Sequence, residues 1–245
     1  MITWPEGYRK VRYEELDSTN SEARRLAEKG GAEHGPLWIS TASQTAGRGR
    51  RGRVWDSANG NLAATLLLRP PAPQAVIGQL SFAAALAAAE TASHFAPQAA
   101  IAVKWPNDVL ADGRKLAGIL LESGSDAKGP WLAIGIGMNL ASHPVATEFP
   151  ATSLAQLGIA APSSDEALSV LAARFAHWYA LWMDEGFHSL RTAWLARAAQ
   201  LGAPIRARLP QETREGVFEG IDETGALILN EGGQKRLIAA GEVFF

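Results

Sequence analysis

Residues 44–55 read Gln-Thr-Ala-Gly-Arg-Gly-Arg-Arg-Gly-Arg-Val-Trp, and this segment, called the arginine loop below, guides the interpretation of the whole chain. Its four arginines lie between Arg48 and Arg53 with no acidic residue among them. Its three glycines leave the backbone without a helix or strand preference. Guanidinium groups donate paired hydrogen bonds that suit phosphate and carboxylate oxygens. We therefore expect a mobile loop that closes over a phosphate-bearing ligand, with a solvated basic loop as the alternative.

Two nucleotide-binding motifs are excluded by their context. Gly47, Gly49 and Gly52 match the spacing of the dinucleotide fingerprint, but that motif requires a helix directly after it. Here Val-Trp-Asp follows at 54–56, and then comes the turn-like pair Asn-Gly at 59–60. The phosphate-binding pattern Gly-x-x-x-x-Gly-Lys-Ser/Thr does not occur in the chain.

Composition indicates a globular protein with a packed core. The chain has 245 residues, which suits one large domain or one domain with a small module. It is 47% hydrophobic and 20% charged, which argues against disorder. The net charge of −2 argues against a protein that coats nucleic acid, so the arginine loop is a local feature.

Several other classes of protein are disfavoured. Cysteine is absent, so no disulfide framework exists and a reducing, cytoplasmic location is expected. The first ten residues lack the apolar core of a signal peptide. The apolar run at 80–92 is rich in alanine and is expected to be too short to span a bilayer. The five histidines do not show the spacing of zinc ligands.

The segment Asp-Ser-Thr-Asn at 17–20 is predicted to open a helix. Thr19 and Glu22 fit a capping box, and Gly30 with Gly31 is expected to end the helix. Two roles are open for Ser18 and Thr19. They cap the helix and do nothing else, or the exposed helix terminus also offers N–H donors to a carboxylate or carbonyl.

A second notable segment, Lys-Trp-Pro-Asn-Asp-Val-Leu, occupies 104–110. Pro106 removes a ladder donor, so the preceding strand must bulge or end there and leave the side chains of Asn107 and Asp108 free. Asp112 and Gly113 form a hairpin signal. Gly118, Gly135 and Gly137 interrupt the next two predicted strands, which indicates either close approach of a ligand or ordinary β-bulges.

Strands and helices alternate irregularly over the first 200 residues. Strands are predicted at 11–16, 37–41, 61–68, 101–105, 115–122 and 131–138, with a connection at 124–129 between the last two. Helices are predicted at 74–95, 163–182 and 187–200. The last ~45 residues are expected to form a small all-β module. The fold class is therefore α+β, with a mixed or antiparallel sheet.

Five motifs in this order carry a resemblance to a known family. They are residues 17–20, the loop at 44–53, Lys-Trp-Pro-Asn-Asp at 104–108, Lys-Leu-Ala-Gly-Ile at 115–119 and Gly-Ile-Gly-Met-Asn at 135–139. Together they resemble biotin protein ligase over nearly the whole chain. The resemblance implies a biotin/lipoate ligase-like catalytic domain at 1–200 and an SH3-like domain at 201–245. The chain resembles the monofunctional form of this family, which lacks an N-terminal winged helix-turn-helix. Binding to DNA is therefore not expected.

The resemblance also implies a reaction. Biotin attacks the α-phosphate of ATP to give biotinoyl-5′-AMP and pyrophosphate, and a lysine of a biotin carboxyl carrier protein, such as that of acetyl-CoA carboxylase, then takes the biotin. Because two anions must meet, catalysis should consist of positioning and charge neutralisation. Lys115 and Arg48 are the expected catalytic residues, and Asp108 is a candidate ligand of Mg²⁺.

Binding residues are implied in the same way. Those expected to bind biotin are Ser18, Thr19, Asn20, Gln44, Gly47, Arg48, Gly49, Arg50, Lys115, Gly118, Gly135 and Gly137. Those expected to bind ATP or the adenylate are Arg50, Arg53, Trp55, Lys104, Asn107, Asp108, Lys115 and Asn139. Trp55 is expected to stack on adenine, and the three strand glycines are expected to leave space for the ligand.

Two other functions fit parts of the sequence less well. A lipoate ligase or octanoyltransferase has a similar fold, but the arginine loop with Lys-Trp-Pro-Asn-Asp favours biotin. An RNA-binding module would need a broad basic face with stacking aromatic residues, which the net charge disfavours. No membrane partner is expected, and the protein is expected to be a monomer or a weak homodimer.

Overall fold

The computed structural model describes residues 2–30, 34–126 and 128–245, which fold into two sheets and five helices. The first sheet contains β1 (Arg9–Leu16), β2 (Leu37–Gln44), β3 (Leu62–Leu68), β4 (Ile101–Lys104), β5 (Asp108–Ala111), β6 (Arg114–Asp126) and β7 (Gly129–Met138). The second contains β8 (Pro204–Arg208), β9 (Thr213–Ile221), β10 (Leu227–Glu231), β11 (Gln234–Ile238) and β12 (Glu242–Phe244). The helices are α1 (Thr19–Glu28), α2 (Gln74–Ile77), α3 (Leu80–Phe95), α4 (Ser164–Glu185) and α5 (Phe187–Leu195).

The first sheet is mixed and has the strand order β1-β2-β3-β7-β6-β5-β4. Only the β1–β2 pair is parallel, and the other neighbours in this sheet are antiparallel. The second sheet is antiparallel, with the order β11-β10-β9-β8-β12. The predicted α+β class with a small β module at the C-terminal end is therefore confirmed.

Helices cover both faces of the first sheet. On β3, Leu66 and Leu68 pack into the core shared with α3 and α4, whereas Leu67 packs with Ala23 and Ala27 of α1 on the opposite face. A strand that is buried on both sides loses the alternation of polar and apolar residues. This burial explains why β3 is apolar at almost every position, with Thr65 as the exception.

The alanine-rich helix α3 is the centre of the larger core. Alanines allow close approach of α4 on one side and of the sheet on the other, and most of the α3 alanines are fully buried. By length and composition Gln74–Phe95 is apolar enough to cross a membrane, yet 67% of its most apolar window is buried inside the protein. The segment therefore has the burial of a core helix.

The second sheet packs against the first part of the chain through aromatic side chains. The indole N–H of Trp105 donates to the carbonyl oxygen of Gly225 at 3.0 Å. Phe82 of α3 contacts Phe187 and Trp194 edge-on, and Trp194 in turn contacts Phe218 of β9. This packing brings β12, near the end of the chain, beside the arginine loop.

The structure corrects several predicted boundaries. The helix predicted at 74–95 is divided at Gly78, where i→i+3 hydrogen bonds replace α-helical ones. The connection predicted at 124–129 is much shorter, because β6 and β7 remain paired as far as Asp126 and Gly129. Helix α5 ends at Leu195 instead of at 200.

The predicted capping box of α1 is wrong. The N-cap is Ser18, whose side chain makes no capping hydrogen bond. The Thr19 hydroxyl bonds Gln44 and Thr65, and the carboxylate of Glu22 accepts a hydrogen bond from Arg25. Tertiary partners thus replace the local ones. Gly30 follows the helix with φ of 82°, as expected of a terminating glycine, and Gly31 lies outside the described residues.

Candidate active site

One row of residues crosses five strands and forms the floor of the candidate site. Ala63 is opposite Gly137, Gly137 is opposite Gly118, Gly118 is opposite Asp108, and Asp108 is opposite Lys104. Residues in register on neighbouring strands point to the same face of a sheet. The row therefore has small side chains at its centre and a carboxylate with an ammonium group at one end.

A β-bulge adds Lys115 to this face. The register between β5 and β6 shifts by one residue, so that Leu110 pairs with Lys115 instead of Leu116. Without the shift, Lys115 would share the face of Ala117, which packs into the apolar core. Bulges commonly redirect a side chain in this way.

Protein side chains occupy the space above the strand glycines. A Cβ atom at Gly137 would overlap the indole of Trp55, and one at Gly135 would overlap the amide of Asn20. Gly118 also lies under the Trp55 ring and beside the Lys115 side chain. Trp55 and Asn20 therefore cover these glycines in this structure, and the role of the glycines in leaving space for the ligand stays a prediction.

A cavity of about 270 Å³ lies above this floor and brings almost all predicted site residues together. Its lining contains Ser18, Thr19, Asn20, Gln44, Arg48, Gly49, Arg50, Arg53, Trp55, Lys104, Asn107, Asp108, Lys115, Gly118, Gly135, Gly137 and Asn139. Gly47 is the one predicted site residue outside this lining. It lies directly behind it, where its carbonyl oxygen accepts a hydrogen bond from the Trp55 amide at 3.0 Å.

The wall formed by the start of α1 is a buried polar network. Gln44 Oε1 accepts hydrogen bonds from the backbone N–H of Thr19 at 2.8 Å and from its hydroxyl at 3.2 Å. Gln44 Nε2 donates to Ser57 Oγ at 2.6 Å. Thr65 Oγ1, which is fully buried, lies 2.8 Å from Thr19 Oγ1 and 2.6 Å from Asn20 Oδ1. These bonds fix the direction of each polar group at this end of the cavity.

Carboxylates from distant elements pair with three of the four arginines of the loop. Arg48 binds Glu122 of β6. Arg51 and Arg53 lie 3.6 and 2.8 Å from Glu242 of β12, and Arg53 also lies 3.4 Å from Glu148. Although the loop contains no acidic residue of its own, carboxylates distant in the sequence therefore compensate three of its arginines.

Arg50 has a different environment. Its Nη1 lies 3.4 Å from Asn107 Oδ1 and 3.4 Å from the carbonyl oxygen of Gly241, both of which are uncharged. Within the described part of the chain it forms no ion pair with a carboxylate. Burial lowers the pKa of Arg50, and repulsion from Arg51 lowers it further. Arg50 is thus the loop cation whose charge is least compensated.

Lys115, Asp108 and Lys104 form a charged cluster at the end of the floor. Lys115 Nζ lies 2.6 Å from Asp108 Oδ1, and Lys104 Nζ lies 3.9 Å from Asp108 Oδ2. Lys104 is 5% exposed, and its ammonium lies 3.5 Å from the centroid of the Phe149 ring. Burial lowers the pKa of Lys104 to about 8, although Asp108 opposes the shift.

The remaining predicted residues are held by backbone contacts. Asn107 Nδ2 donates to the carbonyl oxygen of Ile119 at 2.6 Å, and Asn139 Nδ2 donates to that of Thr152 at 3.0 Å. Ser18 is buried at the cavity wall. The Gly49 amide donates to the Arg53 carbonyl oxygen at 2.7 Å, which closes the turn at the tip of the arginine loop.

Asp108 is a poor match for a magnesium ligand. Two ammonium groups already flank its carboxylate. In the ranges that the structure describes, no group of three or more histidine, aspartate or glutamate side chains could hold a metal ion. These residues do not form a magnesium site of their own, since Mg²⁺ needs several oxygen ligands.

Several residues of the site are not predicted from the sequence. Thr65, Glu122, Glu148, Phe149, Glu242 and Phe244 all contact or line it. Thr65 carried a signal, because it is the one polar residue of an apolar strand. Glu122, Glu148 and Glu242 carried none, because isolated acidic residues are common on protein surfaces.

Comparison with known proteins finds relatives that match this chain over most of its length. The profile of the biotin/lipoate A/B protein ligase family matches residues 15–139, and that of the biotin protein ligase C-terminal domain matches residues 201–245. A biotin–[acetyl-CoA-carboxylase] ligase of Paracoccus denitrificans is 46% identical over 94% of this chain and 97% of its own length. One of Mycobacterium tuberculosis is 35% identical over 92% of this chain and 85% of its own.

Solved structures show the same similarity. The biotin protein ligase of Aquifex aeolicus, determined in complex with biotin and ATP, superposes with a TM-score of 0.79 and 26% identity. The match covers 96% of this chain and 97% of the Aquifex chain.

Proposed function

The chain belongs to the biotin/lipoate A/B protein ligase family, and from this membership we propose that it is an ATP-dependent biotin–protein ligase. Biotin ligases are the relatives that match it over nearly their full length, which favours biotin over lipoate or octanoate. The observation that carries the proposal is the cavity above the row of strand glycines. A polar wall from α1 and β2 lines it, and so do five cationic side chains, of which Arg50 is the least compensated.

The first step joins two anions. A carboxylate oxygen of biotin attacks the α-phosphorus of ATP, the bond to the bridging oxygen of pyrophosphate breaks, and biotinoyl-5′-AMP forms. The biotin carboxylate is itself the nucleophile, so no side chain of the protein has to attack. The protein must overcome the repulsion between the two reactants, and fixed cations in a cavity do this effectively.

Lys115 and Arg50 are proposed to supply that charge. Lys115 sits on the floor beside Asp108, and its ammonium can turn towards oxygens of the carboxylate and the α-phosphate. Among the described residues, Arg50 has no carboxylate partner to give up when phosphate arrives. Arg53 is proposed to act after exchange of its carboxylate partners, and Arg48, which Glu122 holds, remains a candidate catalytic residue.

The polar wall is proposed to bind the uncharged ring system of biotin. Its hydroxyl and amide groups come from Ser18, Thr19, Asn20 and Gln44. Gly49 lies beside them in the cavity lining, and Gly47 lies behind this lining. The nucleotide is proposed to lie against Trp55, Lys104, Asn107, Asp108 and Asn139. The aromatic ring of Trp55 already covers the strand glycines and can present its free face to a base.

In the second step, the neutral amine of a carrier lysine attacks the carbonyl carbon of the mixed anhydride. An amide bond forms, AMP leaves, and the amine loses a proton. The partner is proposed to be a biotin carboxyl carrier domain, because the relatives are ligases for acetyl-CoA carboxylase. Residues 1–200 are proposed to be the catalytic unit and 201–245 an accessory unit that contributes β12 to the cavity.

The experiment that tests the proposal is a direct search for the acyl-adenylate. The protein is incubated with ATP and Mg²⁺ and with either biotin or lipoate, and the products are analysed by mass spectrometry. Biotinoyl-5′-AMP is expected with biotin, and little acyl-adenylate is expected with lipoate. Formation of lipoyl-AMP without biotinoyl-AMP would assign the chain to the other branch of the family.

A further inference from the structure

Glu122 links two parts of the site that the sequence keeps far apart. It is on β6, opposite Ala133, and therefore on the same face of the sheet as α1. Its carboxylate accepts hydrogen bonds from the side chain of Arg48 and from that of Asn20. It thus joins the start of the arginine loop to the start of α1.

The Asn20 side chain is held on both sides. Nδ2 donates to Glu122 Oε2 at 2.8 Å and approaches the Leu120 carbonyl oxygen at 3.3 Å, while Oδ1 accepts from Thr65 at 2.6 Å. The residue is 3% exposed and lies above Gly135, where a Cβ atom would overlap it. Glu122 therefore completes a set of hydrogen bonds that fixes the Asn20 amide in one orientation.

Arg48 is held in a similarly definite geometry. Nη2 lies 3.1 and 3.2 Å from the two oxygens of Glu122, and Nη1 donates to Ser21 Oγ at 2.8 Å. Such paired contacts fix the plane of a guanidinium group. Arg48 lines the cavity of the candidate site and also a second cavity, whereas Glu122 lines only the second of these two.

We propose that Glu122 is a positioning residue for adenylation, which sets the guanidinium of Arg48 and the amide of Asn20 in the wall of the biotin-binding cavity. The inference rests on the proposed function. Glu122 does not touch the substrates, and its effect passes chiefly through Arg48. Loss of its charge leaves Arg48 attached to Ser21 alone, so the guanidinium samples orientations that do not face the ligand.

A double-mutant cycle tests this. Glu122→Gln retains an oxygen for the Asn20 amide but loses the charge that holds Arg48. We expect it to lower kcat/KM for biotin in adenylate formation about tenfold, with KM for ATP changed less than twofold. Arg48→Gln should lower it more, and Glu122→Gln added to Arg48→Gln should have no further effect, because residues that act through one another are non-additive.

The control is Glu219→Gln. Glu219 is also a strand glutamate that binds a cation, Lys235 at 2.9 Å, and an asparagine amide, that of Asn230 at 2.6 Å, but it is on β9 in the second sheet. The Glu219→Gln variant should leave kcat/KM for biotin unchanged. Thermal unfolding of every variant is measured in parallel, and Arg48→Ala replaces Arg48→Gln if that variant does not fold.

The outcomes separate this inference from the proposed function. Wild-type activity with an unaffected Glu122→Gln variant overturns the inference alone. Losses that add fully in the double variant also overturn it, since a merely structural role of Glu122 would act independently of Arg48. Wild-type protein that makes no biotinoyl-adenylate overturns the proposed function and this inference with it.

Discussion

Lys115 Nζ and Asp108 Oδ1 are 2.6 Å apart at the end of the cavity floor, although their strands reach this contact only through a β-bulge. The carboxylate keeps the ammonium in place while the cavity lacks an anionic ligand. An arriving phosphate or carboxylate offers the ammonium a second anion without requiring it to move far. The pair therefore places a cation in advance where negative charge must be neutralised.

Removal of the Lys115 side chain should greatly slow the first chemical step, the formation of biotinoyl-adenylate. Lys115→Ala is expected to slow biotinoyl-adenylate formation at least ~100-fold in a single turnover, the scale of losing a transition-state charge partner. Lys235→Ala, which removes an exposed lysine from the second sheet, is the control. Adenylation at a near-normal rate by a Lys115→Ala protein with an intact circular dichroism spectrum would remove Lys115 from the mechanism.

The arginine loop should open readily without ligand. Its ion pairs are half-exposed, and such pairs stabilise by only about 0–1 kcal/mol each, whereas ordering a residue costs roughly 1–2 kcal/mol. We expect trypsin to cut within 48–53 in the free protein and to be suppressed there by biotin with ATP. A closed loop would also shield the reactive anhydride from water.

Glu242 makes the same experiment more specific. Glu242→Gln removes the carboxylate shared by Arg51 and Arg53, so the free loop should be cut faster than in the wild type. Glu219→Gln should not change the cutting rate. Equal cutting with and without ligand would show that the loop does not close, and the shielding role would have to be abandoned.

Nucleotide binding should take up a proton near pH 8.5. Lys104 has a pKa of about 8 because of its burial, so part of the free protein is neutral at that site above this pH. A bound phosphate favours the ammonium form and raises this pKa. The protonated fraction therefore rises on binding at pH 8.5 but not at pH 6.5, where Lys104 is already charged.

Calorimetry in buffers with different ionisation enthalpies measures this uptake. The affinity for ATP should also fall as the pH rises through 8. Lys104→Arg, which keeps its charge throughout, should show a flatter dependence. Proton uptake that is unchanged in Lys104→Arg would mean that another group is responsible and that Lys104 does not face the phosphates.

Those parts of the fold and of the site that depend on residues close together in the chain can be predicted from the sequence. The apolar run of β3, the turn at Asp112 and the interrupted strands around Gly118 and Gly137 each left a pattern within a few residues. Nearly all of the predicted residues line one cavity, to which the start of α1, the arginine loop and one face of the first sheet contribute.

The rest depends on contacts between distant parts of the chain. Glu122 is 74 positions from Arg48, and Glu242 is 189 positions from Arg53. No local sequence pattern therefore predicts either ion pair. The capping box failed for the same reason, because Gln44 takes the bonds of Thr19 that a local cap would have made. The bulge that turns Lys115 towards the cavity leaves no composition signal.

The fate of the biotin carboxylate oxygens tests the central claim most directly. Biotin labelled with ¹⁸O in both carboxylate oxygens is supplied with ATP, Mg²⁺ and a carrier domain, and the AMP is analysed by mass spectrometry. Attack of the carboxylate on the α-phosphorus, followed by attack of the lysine amine on the carbonyl carbon, leaves one ¹⁸O atom in AMP and one in the new amide. AMP without ¹⁸O, or label in phosphate or ADP, would contradict the account.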